Sequence, residues 1–236
     1  MSGIAGVAFQ VAACGDSAVR VTAQGADREE CWRAVHAIAA AIDTDADRFA
    51  ITGVIPTYDA VLIEFDCAAS THDNIRQLLA NLVRESVAPK PRPARHFDIP
   101  VVYGGEYGPD LDDVADQLGL SPAEVIRVHG SSPLTMRCFG SPGGAPMLDG
   151  PAFPRPVPRR VVPRPHVPAG AVAVAGRQAV VSARPAPGGW PVIGRTPRTM
   201  VDPTTEPLSA FRPGDTFRFH AIAAHEWSRF EGVLRG

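Results

Sequence analysis

The sequence predicts an α+β protein: a small ββαββα N-terminal domain followed by a domain of β-barrel or sandwich type. Three observations lead there. Strand-like alternation and helical spacing take turns through the first 88 residues. The stretch Val87 to His96 then holds three prolines and four basic residues with little that is apolar, which suits an extended linker. Past His129 helical periodicity stops, and short apolar runs separated by Gly/Pro turns take over. The domains are therefore placed at 1–88 and 97–236, with 89–96 between them.

Taken in order, Val7, Phe9 and Val11 alternate, as do Val19 and Val21, with Gly15-Asp16-Ser17 as the turn between two strands. Cys31, Val35, Ile38 and Ile42 recur at helical spacing, predicting a helix over 28–42. Ile51 to Pro56 and Ala60 to Asp66 make a second strand pair. A second helix follows, capped by Ser70 or Thr71, with Ile75, Leu78, Leu79, Leu82 and Val83 on one face. Beyond the linker, Phe97 to Tyr103 reads as a strand. Asp110 is placed to cap a helix carrying Leu111, Val114, Ala115 and Leu118, which Gly119 ends. Ser121-Pro122-Ala123-Glu124 has the form of a capping box with Pro at the first helical position, so a helix should run to His129. Residues 151–168 contain seven prolines; strands are expected over Ala171 to Ala175, Ala179 to Val181 and Thr216 to Phe219.

Composition excludes several classes of function. Net charge is −2, against the basic excess that binding to phosphate backbones needs. No apolar run reaches the roughly 20 residues that span a bilayer, and Met1 to Ala13 lacks the pattern of a secretory signal. Cys14, Cys31, Cys67 and Cys138 are far apart and follow no zinc or redox spacing, which points to reduced thiols in a cytoplasmic protein and to no metal site.

Four stretches carry groups suited to chemistry. Tyr103 to Asp110 joins three glycines to the carboxylates of Glu106 and Asp110, although a loop and a helix cap are the simpler explanation. Phe139 to Pro146 offers loop amides to an anion but lacks the Lys-Ser/Thr of a P-loop. Val167 to Gln178 is a small-residue strand ending in Arg177 and Gln178. Ala186 to Pro197 sets Gly188, Gly189 and Trp190 in a turn and then presents Arg195 and Thr196. A guanidinium there suits a carboxylate or phosphate held through two parallel bonds. Of the scattered histidines, His129 is the candidate proton carrier. Residue chemistry alone stops at a pocket with an Arg, a Gln and carboxylates.

With these motifs the chain resembles the family of the bacterial 5-oxoprolinase B subunit, also known as allophanate hydrolase subunit 1. That family includes the sporulation-kinase inhibitor of Bacillus and matches part of the carboxyltransferase region of urea carboxylase. The resemblance rests on Cys14 to Arg20, Ile99 to Leu111, Leu118 to Ile126 with His129, Val167 to Gly170, Gly176, Gln178, Pro187 to Trp190, Ile193 to Pro197 and Arg212 to Asp215. It implies a cyclophilin-like β-barrel for the second domain. It also implies a heteromeric ATP-dependent amidohydrolase, active only with a partner, the C subunit of biotin-dependent carboxyltransferase type, and sometimes with a third subunit. ATP with Mg would serve the complex, without a certain place on this chain. Carried over as lining of a shared pocket are His129, Gln178 and Arg195 as catalytic residues, with Gly188, Gly189, Trp190 and Thr196 binding substrate. The substrate would be 5-oxo-L-proline, opened to L-glutamate, or a urea-derived amide such as allophanate.

One departure stands out. The family's Gly-Phe-x-Pro-Gly-Phe-x-Tyr-Leu loop is here Phe139 to Met147 without two of its aromatics. Aromatic walls exclude water and hold planar amides, so their loss points to an altered substrate or a divergent paralogue. The alternative to an enzyme subunit is a regulatory protein that binds a histidine kinase. A prolyl isomerase reading rests on fold alone.

Overall fold

The computed structural model describes residues 6–42, 46–84, 93–140 and 143–235. The chain divides into two compact units, 1–92 and 93–236. Linker residues 89–92 lie outside the described residues, as do Met1 to Ala5 of the N-terminal reading and Ser141 and Pro142 of the glycine loop.

In the first unit, β1 (Ala8–Ala13), β2 (Ala18–Gln24), β3 (Ile51–Pro56) and β4 (Ala60–Phe65) form an antiparallel sheet in the order β1-β2-β4-β3. Cross-strand register pairs Val19 with Ile63 and Val21 with Val61, so one face is a continuous apolar surface. Helices α1 (Arg28–Ile42) and α2 (His72–Arg84) place Val35, Ile38, Ile42, Ile75 and Leu79 in one cluster with that face. Thr71 is the residue that caps α2: its Oγ1 accepts from the Asn74 amide at 3.3 Å.

The second unit is built on a closed barrel in the order β10-β7-β6-β14-β5-β12-β9. Its strands are β5 (His96–Tyr103), β6 (Leu134–Gly140), β7 (Ala145–Asp149), β9 (Ala171–Ala175), β10 (Gln178–Val181), β12 (Val192–Arg195) and β14 (Thr216–Ala221). Most neighbours are antiparallel, but β5 and β14 run parallel, with Phe97 opposite Phe217 and Ile99 opposite Phe219. Inward residues fill the interior: Ile99, Val101, Met136, Leu148, Val172, Val174, Ile193, Phe217 and Phe219 share one buried cluster. The barrel is thus a packed core, as expected at this strand number. Helices α3 (Leu111–Leu118) and α4 (Pro122–His129) add Leu111, Val114, Leu118 and Val125 to it. The capping box of α4 is present: Ser121 Oγ accepts from the Glu124 amide, and the Glu124 carboxylate accepts from the Ser121 amide at 2.8 Å.

Outside the barrel, β8 (Arg164–Val167) pairs with β11 (Ala186–Gly188), and β13 (Arg198–Thr199) with β15 (Gly232–Val233). A single helical turn, α5 (Trp227–Phe230), lies where the sequence offered no helical periodicity; four residues are too few to show any.

One expected role is corrected. The Asp110 side chain makes no cap bond to α3. Its carboxylate is taken instead by Arg160, by both Nη groups of Arg164 at 2.5 and 2.8 Å, and by the Val192 amide at 2.7 Å. Two guanidiniums and a strand amide outcompete a helix N-terminus for one carboxylate, because charge-assisted bonds are the stronger.

Candidate active site

The outer wall of the barrel is set by alternation along β9 and β12. Val172, Val174 and Ile193 point inward, while Ala171, Ala173 and Val192 point outward and pack with Val167 and Trp190. The register slips between Val192 and Gly194, after which Arg195 sits opposite Ala171 on the outer side. At Gly194 a Cβ would come within 2.5 Å of Val101 Cγ1 and 2.9 Å of the Val102 carbonyl, so only glycine lets β12 and β5 approach this closely.

Arg195 is held from two directions. Its Nε donates to the Ala169 carbonyl at 2.9 Å, and its guanidinium carbon stands 5.4 Å from the centroid of the Trp227 ring. Trp227 in turn packs on Tyr107, ring centroids 5.2 Å apart. The two Nη groups meet no protein acceptor among the described residues. A half-buried guanidinium fixed by its Nε and backed by an indole is oriented in advance to take a carboxylate or phosphate in two parallel bonds. Sequence reading selected Arg195 but not Trp227 as its neighbour. Trp190 stands against Arg159 instead, 5.7 Å from ring centroid to guanidinium carbon.

The other expected residues do not converge on Arg195. Thr196 is only 2% exposed, and its Oγ1 accepts from the Arg198 amide at 3.2 Å, so this hydroxyl shapes the chain and is not offered to a ligand. His129, the last residue of α4, is fully buried against Phe219, with Nδ1 2.7 Å from the Tyr103 hydroxyl. Burial drives its pKa down to about 3, so the ring is neutral, and burial likewise pushes the Tyr103 phenol well above its ordinary value. Tyr103 is the register partner of Gly194, so His129 lies one side chain away from the strand that carries Arg195. Gln178 is on the outer side but opposite Ala175, four positions along β9 from the partner of Arg195, or about 13 Å at ordinary strand rise. Gly188 pairs with Arg164, and the Gly189 carbonyl accepts from the Arg160 amide at 2.8 Å. Arg195 and the Gly188–Trp190 turn thus share the outer face, while His129 is buried against Phe219 and Tyr103.

Asp110, Arg160 and Arg164 form a second constellation that the sequence did not disclose. Asp110 is 1% exposed. Burial alone would raise its pKa, but hydrogen bonds from Arg164 and the Val192 amide, with the charges of Arg164 and Arg160, outweigh that and hold it below the usual carboxylate range. The signal available was the pair Arg159-Arg160 followed by Arg164 in a segment without acidic residues. Three arginines with no local anion leave room for a carboxylate brought in from elsewhere in the chain.

Among the described residues there is no group of three or more His, Cys, Asp or Glu placed to hold a cation. The glycine loop joins two strands, β6 and β7, and does not open onto a helix N-terminus; a Cβ on Gly143 would stand 2.5 Å from Arg184 Cδ, so that side chain lies across the loop. All four cysteines are free, and no described helix is long and apolar enough to cross a membrane.

These features define a two-unit protein whose closed seven-stranded barrel displays an aromatic-backed guanidinium on its outer wall. The chain belongs to the carboxyltransferase domain, subdomain C and D family, whose profile matches residues 9–211. It is 31% identical over 95% of its length to the 5-oxoprolinase B subunit of Bacillus subtilis, of which it spans 98%. Among solved structures it is similar to TTHA0988, at 31% identity and a TM-score of 0.74, covering 89% of this chain and 40% of that one. It also shares its fold with the urea carboxylase of Kluyveromyces lactis, at 18% identity and a TM-score of 0.75, over 97% of this chain but 24% of that one. The chain thus spans well under half of the two solved proteins.

Proposed function

We propose that this protein is one subunit of a multi-subunit amidohydrolase that opens 5-oxo-L-proline to L-glutamate in an ATP-dependent reaction. The observation that carries the reading is Arg195, fixed by Ala169 and Trp227 with both Nη groups free of protein acceptors among the described residues. The substrate's carboxylate is the natural occupant of that fork. The similarity to the Bacillus B subunit over almost the whole chain supports the reaction. Arg195 binds and orients the substrate; the residues that activate the ring amide, and those that hold ATP with Mg, come from partner subunits. A partner of the C-subunit type, which a longer relative such as TTHA0988 leaves room for in one chain, completes the cavity. The complex works in the cytoplasm, where ATP and reduced thiols coexist.

The test is co-expression with the partner subunits and measurement of ATP-dependent glutamate release from 5-oxoproline, with allophanate as the control substrate. Arg195→Met should lower kcat/KM by about 100-fold or more without lowering the unfolding midpoint, and Arg195→Lys should recover part of the loss. Turnover within threefold of wild type in Arg195→Met would remove the residue from the site.

A further inference from the structure

A second polar concavity lies away from Arg195. His96, Phe97 and Asp98, at the start of β5, face Arg198 of β13 and the C-terminal residues Val233, Leu234 and Arg235 across a cavity of about 240 Å³. That is room for roughly eight waters at their liquid volume, or for a small organic anion. Two guanidiniums line it against one carboxylate, which leaves an excess of positive charge.

Arg198 is held beside the cavity by its backbone. Its backbone is committed: the amide donates to Thr196 Oγ1, and the residue pairs with Gly232 in the β13–β15 ribbon. Its Nε is sealed from solvent yet has no acceptor among the described residues. That nitrogen is closed to a ligand in the cavity, so binding there falls to other atoms of the lining. Asp98 lines the same cavity, but no ion pair joins it to Arg198. An acceptor in the cavity would meet the excess charge of the two arginines that line it. The Arg198–Arg235 pair, with His96 as an additional donor or acceptor, matches a group with several terminal oxygens. His96 is itself oriented by Thr216, Nδ1 to Oγ1 2.5 Å.

We infer that this cleft is an anion-binding site, distinct from the Arg195 fork, that takes a small molecule through a phosphate or carboxylate group.

The experiment uses the full chain at constant ionic strength. The unfolding midpoint is followed against inorganic phosphate, succinate and, as control, chloride. Wild type should show a saturable rise with phosphate or with succinate, and the stronger of the two identifies the group. Arg198→Met keeps the aliphatic stem and should weaken the response at least tenfold. Arg235→Met, at an exposed position with little to lose in folding, should weaken it several-fold and keeps the test valid if the first variant is poorly folded. Arg195→Met should respond like wild type, so failure here is separable from failure of the proposed reaction. A response unchanged in both cleft variants, or a rise no different from that with chloride, overturns the site.

Discussion

At the scale of single residues, two buried polar groups set what the protein tolerates. His129 is neutral and enclosed, its pKa lowered by burial to about 3, whereas an unfolded histidine titrates near 6.5. The folded state therefore takes up its proton far later than the unfolded state. Above pH 6.5 the residue adds no pH dependence; as pH falls from there toward 3, stability is lost progressively. By pH 5 the loss amounts to about 2 kcal/mol. His129→Gln, which keeps an acceptor for the Tyr103 hydroxyl but does not titrate, should remove that component, seen as a smaller fall in unfolding free energy between pH 7 and pH 5 in urea titrations. Asp110 is the other. Asp110→Asn leaves Arg160 and Arg164 facing each other without a shared anion. Both arginines are partly exposed and can turn to water, so about 2–3 kcal/mol is expected, below the full cost of an isolated buried charge. Chemical denaturation reads this directly, and a change under 0.5 kcal/mol, the scale of an ordinary surface substitution, would contradict the clamp.

At the scale of elements, β12 is the most constrained. Gly194→Ala would drive a methyl into Val101 and the Val102 carbonyl, and backbone cannot give way as a flexible side chain can. A loss of roughly 1–3 kcal/mol, read as a lowered unfolding midpoint, is expected, with Arg195 displaced as the strands part. This scale also shows what the sequence disclosed. The helices α1 and α2 were readable because their apolar residues recur over three or more turns, and α4 because Ser121, Pro122 and Glu124 spell its start in side-chain chemistry. Strands β9 and β10 were readable as strands, but their partners were not. Pairing in a closed barrel depends on residues far apart in sequence, and the alternation in Ala171 to Ala175 is between alanines and valines, nearly alike in polarity. The candidate site was legible in part for the same reason. Arg195 announces itself beside glycine and threonine, while Trp227, 32 positions later on a lone helical turn, gives no local sign that it will lie against that guanidinium.

At the scale of the whole molecule, each unit has a core of its own, one around Val35, Ile38 and Ile63 and the other around Ile99, Met136 and Phe217. Residues 93–236 expressed alone should therefore unfold in a single cooperative transition. Circular dichroism against temperature checks this; a broad, non-cooperative melt would show that the barrel depends on the first unit. Catalysis is a different matter. The outer face offers a grip for an anion, and the rest of the chemistry is expected from other subunits.

The parallel alignment of β5 with β14, His96 opposite Thr216, has a consequence for biosynthesis. One stave of the barrel leaves the ribosome 120 residues before the stave that must lie against it. At translation speeds of about 5–20 residues per second, β5 waits roughly 6–24 s with an uncovered hydrogen-bonding edge and the greasy side chains of Phe97, Ile99 and Val101. Nascent chains stalled before Thr216 should thus be bound by general chaperones and cut readily by protease, whereas chains extended past Ala221 and clear of the exit tunnel should resist both.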